Sequence, residues 1–254
     1  MEEKMGGGMG AYSYLALAGL VLALACGGAE LLAGYGVRAG FWDYRLGISL
    51  FRWAAYGGVA AGLISLAGCL ATRPGLGHPG FVWAMIGLVI ATATAGVPWS
   101  MQRVAREVPA IHDITTDPAD PPGFVALLRI RRTTANGGEY GGPEIAVQQR
   151  KAYPDIAPLE LSVAPPEAFN EALLAARRLG WELVASDPET GIIEATATTF
   201  WFGFKDDVIV RVRPSAQGSR IDIRSVSRVG RSDLGANARR IRKFVQTVRG
   251  HGNS

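Results

Sequence analysis

The chain has 254 residues, 26 Lys+Arg against 22 Asp+Glu and a formal net charge of +4. That length holds one or two domains, and with no basic-and-aromatic recognition motif no nucleic-acid partner is expected. The two cysteines, Cys26 and Cys69, both lie in apolar segments, so the rest of the chain carries no sign of its redox compartment.

The first apolar run, residues 12–35, contains a single charge, Glu30. A second covers 46–70, with Arg52 near its start, and a third covers 81–99, ending in Pro98 and Trp99. Each is long enough for the roughly 20 helical residues that cross a hydrocarbon core, and their Gly and Ala content suits close helix packing in lipid. The sequence therefore predicts a membrane domain over 1–103 with three transmembrane helices, and a soluble domain over 104–254. A cleaved lipoprotein signal ending at Cys26 is rejected. Lys4 is offset by Glu2 and Glu3, and the apolar run continues past the cysteine. Glu30 and Arg52 fall at similar depth on neighbouring antiparallel helices. They are expected either to form an intramembrane pair or to reach the interface separately. Three spans put the amino terminus and the soluble domain on opposite sides. Arg38, Arg45, Arg103 and Arg106 on one side outnumber Lys4 and Arg73 on the other, a weak tilt towards a cytoplasmic domain.

Residues 104–142 read as irregular, broken by Pro109, Pro118, Pro121 and Pro122, with a short helix over 124–132. The pairs Asn136-Gly137 and Gly141-Gly142 are loop signals. A first strand is expected over 159–163. Pro165-Pro166 then opens a helix carrying Phe169, Leu173, Ala176 and Leu179 at helical spacing, with Gly180 as its stop. Strands follow over 181–185 and 191–198, around a Ser186-Asp187-Pro188 turn.

The densest pattern spans 206–237. Val208, Val210 and Val212 alternate with Asp207, Ile209, Arg211 and Arg213, and Ile221 and Ile223 with Asp222 and Arg224, so a hairpin turning over 214–219 is predicted. If Arg213 faces Arg220, then Arg211 faces Asp222, an opposite-charge pair worth about 0.2–1 kcal/mol. One face makes core, and the other, with Asp207, Arg211, Arg213, Asp222, Arg224 and Arg228, is left available for chemistry or water. A last helix over 234–249 carries an apolar stripe, with Arg239, Arg240, Arg242 and Lys243 on its wet side. Strand, helix, four strands and helix make an α+β fold, an antiparallel sheet backed by helices.

Charge is polarised within the soluble part: 104–210 holds 9 basic and 16 acidic residues, 211–254 holds 11 and 2. Either the two stretches lie side by side and neutralise each other, or the basic one meets anionic lipid or another acidic partner. The strand-to-helix corner concentrates the candidate ligand-binding residues: Arg224, Ser225, Ser227, Arg228, Arg231, Asp233 and Asn237. Ser232 or Asp233 would cap the helix, and the arginines would hold phosphate or carboxylate; the alternative is that Asp233 and Asn237 simply fasten the corner to them. Trp201 and Phe204, in the aromatic turn over 200–204, would add apolar contacts to a ligand as a pocket wall or lid, touch the bilayer, or simply pack in the core. An enzyme reading would use His112, Asp207 and Arg224. No metal-ligand cluster, phosphate loop or nucleophile elbow is present, so no metal, cofactor or catalytic residue is assigned.

Several segments together resemble a known family. They are residues 108–117 (VPAIHDITTD), Gly180-Trp181-Glu182, 193–196 (IEAT), 204–208 (FKDDV), 222–230 (DIRSVSRVG) and Gly235-Ala236-Asn237. They resemble domain-of-unknown-function family 1499 over roughly 105–250, in its histidine-bearing membrane form. Many relatives carry a cysteine-containing segment in place of residues 111–116. The resemblance implies no activity, cofactor or catalytic residue. Its exported and lipoprotein-like members imply an envelope-facing domain, and on that ground we favour a bacterial inner-membrane protein with its soluble domain in the periplasm. The expected partners are the bilayer, an anionic lipid or an envelope protein.

Overall fold

A computed structural model of the chain describes residues 10–250; residues 1–9, including Glu2, Glu3 and Lys4, and 251–254 lie outside the described residues. The chain divides into two compact units, one of residues 1–103 with Trp201–Gly203, the other of the remainder.

In the first unit, helices α1 (Ala11–Arg38), α2 (Tyr44–Ala71) and α3 (Phe81–Glu107) are each long and apolar enough to cross a membrane, which marks a membrane-associated protein. Small residues let the helix backbones approach. A Cβ on Gly19 would lie 2.9 Å from the Ser65 Cα, and one on Gly68 would lie 2.9 Å from the Ala16 Cα. Helix α3 runs through Pro98 rather than ending at Trp99. Proline removes one N–H from the ladder, which neighbouring groups can compensate in a membrane helix.

Of the two alternatives for Glu30 and Arg52, the pair is not formed among the described residues: Glu30 is buried and Arg52 is exposed. The reason is helical phase. The buried stripe of α2 runs through Gly47, Ala54, Gly58, Ala61 and Ser65, and Arg52, two residues before Ala54, projects from the far side.

The second unit is built on a six-stranded sheet of β1 (Asp113–Thr115), β2 (Leu159–Leu161), β3 (Glu182–Asp187), β4 (Ile192–Thr198), β5 (Lys205–Ser215) and β6 (Gly218–Ser227). Its order is β1-β6-β5-β4-β3, with β2 also on β6, and every pairing is antiparallel. β1 and β2 lie end to end along one edge of β6, at residues 224–226 and 219–221 respectively. The hairpin register is the expected one, Arg211 opposite Asp222 and Arg213 opposite Arg220. The facing arginines are tolerated because Asp222 lies between them, accepting from Arg213 Nη2 at 2.7 Å and Arg220 Nε at 2.9 Å.

Helices α6 (Pro165–Arg178) and α7 (Ala236–Arg249) cover one face, burying Phe169, Ala172, Ile241 and Phe244 against Val208, Val210, Ile221 and Ile223. Gly180 terminates α6 with φ +71°, a conformation glycine adopts without steric cost. Trp181, just beyond it, stacks on Phe244 with centroids 5.5 Å apart.

The other face departs from expectation. It is not wet: Asp207 and Asp222 are fully buried, and Ile209 and Val226 pack with Phe124 and Leu127 in a second core. The proline-broken segment before and through α4 (Leu128–Arg131) lies over this face, so the charged residues had to find partners inside. Glu194 tethers that cover, accepting from the main-chain N–H groups of Val125, Ala126 and Leu127 at 2.7, 3.0 and 2.7 Å.

Helix α5 (Gly142–Ala152), a stretch to which the sequence assigned no element beyond the loop signal at its start, supplies Gln149. Its amide accepts from Thr115 N and donates to Thr115 O, capping the free edge of β1 as a strand would.

Candidate functional site

A strand projects neighbouring side chains to opposite faces, and this rule divides the predicted corner. Ser225 and Ser227 point towards α7, while Arg224 and Arg228 point to the opposite face. The arginines there are closed by acids of the same unit. Arg224, 2 % exposed, donates Nε and Nη2 to Asp113 at 2.9 and 2.7 Å, and its remaining bonds go to the carbonyls of Pro122 and Gly138. Its guanidinium also lies over the rings of Phe124 and Tyr140. Arg228 donates to Asp207, whose carboxylate also receives Arg131 Nη1 at 2.8 Å and Thr196 Oγ1 at 2.9 Å. Burial lowers the Arg131 guanidinium below its ordinary range, and Asp207 opposes that shift. Arg231 is exposed and makes no ion pair or hydrogen bond among the described residues.

His112 enters this region through its main chain. Its carbonyl accepts from Ser227 N and from Asn237 Nδ2. The carboxylate on Arg224 belongs to Asp113, and Asp207 is saturated by two arginines and a threonine. Arg224 and Asp207 thus have their charged bonds taken by other partners than His112.

The helix-side half of the corner is a second network. Ser225 Oγ donates to Asn237 Oδ1 at 2.7 Å, and Asn237 Nδ2 donates to Ser227 Oγ at 3.1 Å. Asp233 caps α7 by accepting from Gly235 N and Asn237 N. Burial pushes its carboxyl up, against the effect of those two N–H groups. The connection is tight enough to hold Leu234 at φ 53°, a left-handed conformation rare for a side-chain-bearing residue. The helix begins at Ala236, two residues later than expected, because Asp233 to Gly235 form the cap.

Arg240 joins this network to the surface. It donates to Ser225 Oγ at 3.0 Å, to Asn237 Oδ1 and to Asp206. Together with Arg239 and Lys243 it lines a depression of about 300 Å³, whose other walls include Gly180, Trp181 and Thr198. The depression is near the lower size limit of small-molecule sites. No carboxylate is among its lining residues. Arg239 is exposed and donates Nη1 to the Leu234 carbonyl, and Lys243 is exposed without a partner among the described residues. The four cations expected to stay wet on α7 thus divide in two: Arg240 pairs with Asp206 and Arg242 with Asp155, leaving Arg239 and Lys243 uncompensated.

The other predicted contacts lie elsewhere. Trp201 belongs to the first unit, where its indole N–H donates to Leu31 O at 3.2 Å and its ring meets Phe51 edge-on. Phe204 belongs to the second unit, its main-chain N donating to Thr199 Oγ1. Sequence reasoning missed Arg131, Asp113 and Glu194 as network members. The excess of acids before residue 210 was their only trace.

The reading in which acidic and basic stretches neutralise each other accounts for most of the arginines. Asp113, Asp117, Asp120, Asp155, Asp206 and Asp207 each pair with at least one arginine from residue 211 onwards. Among the described residues, no group of three or more His, Cys, Asp or Glu could hold a metal.

No curated protein matches the chain. The sequence model of the family described as "Protein of unknown function (DUF1499)" matches residues 113–248, which takes in the sheet, the two covering helices and both networks. With more than half of its length matched, the chain belongs to the DUF1499 family.

Proposed function

We propose that the second unit is a non-catalytic module that holds a phosphate-bearing anion in the depression lined by Arg239, Arg240 and Lys243, tethered by three spans to the bacterial inner membrane on its periplasmic side. One observation carries this reading. Most of the other arginines from residue 211 onwards pair with acids, whereas this depression gathers three cations, two of them, Arg239 and Lys243, without an acidic partner, and no acid lines it. Arg240 is fixed from behind by Asp206, Ser225 and Asn237, so it presents a pre-oriented donor. The corner residues Ser225, Ser227, Asp233 and Asn237 then act by positioning, and Arg224 and Arg228 by holding the opposite face of the sheet. The periplasmic side rests on what the family resemblance implies, against the weak charge tilt of the loops towards the cytoplasm.

Native mass spectrometry of the full chain, released from detergent, tests the site with two probes: inorganic phosphate and phosphatidylglycerol, with zwitterionic phosphatidylcholine, of no net charge, as the control. A charge-assisted hydrogen bond is worth about 1.5–3 kcal/mol, so Arg239→Ala with Lys243→Ala should weaken binding at least about tenfold. Retention of phosphatidylglycerol alone identifies a lipid headgroup, and retention of both probes identifies a general phosphate site. Binding of neither, or binding that the double variant leaves unchanged, refutes the proposal. A carboxyl-terminal reporter active in the cytoplasm refutes the periplasmic placement.

A further inference from the structure

Glu30 stands apart from the soluble unit and its anion chemistry. It lies in the apolar run of α1, 6 % exposed, on the face that also buries Ala23, Ala33 and Gly34. Its Oε1 atom is buried and makes no hydrogen bond among the described residues.

A bare carboxylate in such surroundings is costly, and three arrangements relieve it: a counter-charge, a bound metal cation or a proton. The first is absent among the described residues. Arg45, Arg52 and Tyr56 on α2 are exposed, and Tyr44 is partnered by Arg45. Cys69 packs with Ala16 and Ala84, well away along α1, while residues 81–102 of α3 contain no ionisable side chain. On α1 itself, Cys26 lies against Gly57, and Tyr35 and Arg38 are exposed. The second is disfavoured by the lining. A hard cation needs about six oxygen ligands, and the neighbours that share this face of α1 are alanine and glycine. The third needs only one proton.

We propose that Glu30 is a proton-binding site of the membrane unit. The carboxylate takes up one proton, becomes a neutral carboxylic acid and remains so at neutral pH. Release of that proton would leave an unpartnered anion inside the helix packing, so protonation and helix association are linked at this residue.

Infrared difference spectroscopy on the full chain in detergent tests this, because protonated and ionised carboxyl groups absorb in separate bands. The expected result at pH 7 is an acid band that Glu30→Gln removes and Arg52→Gln leaves unchanged. A hydrophobic carbodiimide, which reacts with protonated carboxyls in apolar surroundings, should label the unmodified chain at Glu30 in peptide mapping; this readout needs no variant to fold. Absence of the acid band and of the label overturns the proposal. An acid band that arises only in Arg52→Gln would overturn it in favour of an ion pair. Loss of the band on adding sodium or potassium at fixed pH would overturn it in favour of a cation site.

Discussion

Replacing Asp207 by Asn removes the charge at the centre of the buried network while keeping its shape. Asp207 and Arg131 are both 0 % exposed, and Asp207 also takes Arg228 and Thr196. Without the carboxylate, Arg131 keeps only neutral acceptors: the carbonyls of Asn136, Gly137 and Val226 and, at most, the amide oxygen of the new side chain. Breaking a buried pair from one side costs about 3–5 kcal/mol. Arg228, 17 % exposed on its side chain, can turn to water and should contribute little of that. Set against domain stabilities of about 5–15 kcal/mol, Asp207→Asn should remove a large share. Arg131→Met should cost less, because Asp207 would retain Arg228 and Thr196. The double variant should cost less than the sum of the two, since neither buried charge is then left alone. Pulse proteolysis of the full chain in detergent along a urea series measures all three. A single-variant effect under about 0.5 kcal/mol, the usual scale of inert surface changes, or strict additivity in the double variant, would refute the reasoning.

Tyr140 has a buried hydroxyl without a hydrogen-bond partner among the described residues, and burial pushes its pKa up to about 12. The folded state then holds the phenolic proton more tightly than the unfolded chain. Its contribution is complete below the unfolded value and is lost as pH rises through the folded one; ultraviolet titration should show a late phenolate step that Tyr140→Phe removes. Glu194→Ala should leave three main-chain N–H groups without their acceptor and cost about 2–4 kcal/mol, since one unsatisfied buried group alone costs about 1–3. Limited proteolysis should then cut within 116–140, and an unchanged digestion pattern would count against the tether. Gly180→Ala should cost about 1 kcal/mol or more in urea unfolding, because φ +71° strains a residue bearing a Cβ.

Local rules carried far in this sequence. Alternating valines set the β5–β6 register to the residue, Gly180 marked the end of α6, and the three apolar runs became three helices, because each of these features depends on neighbours within a few positions. What stayed hidden depended on distant ones. Ser225 and Arg224 are adjacent, and period two alone assigned them to opposite faces. That the Arg224 face is dry follows only from Phe124 and Leu127 closing over it, about 100 residues earlier in the chain. Helix α5 was obscured by Gly141-Gly142-Pro143, residues that start a helix here although they usually mark a loop. The depression on α7 was unreadable for a related reason. Four cations look alike in sequence, and only Asp155 and Asp206 determine which two remain unmatched.

The lopsided sharing of ionic partners also bears on how this protein is born. Residues 104–210 emerge from the ribosome with 16 acids to 9 bases, and most of the guanidinium groups that will quiet them reside in the last 44 positions. At roughly 5–20 residues per second, β1 and β2 wait several seconds for β6 and β4 waits for the rest of β5, in a stretch that carries excess negative charge. A transcript truncated near codon 210 should therefore yield an anionic, unfolded fragment for quality control to clear. The terminal hairpin and helix act as the clasp that closes the whole second unit at once.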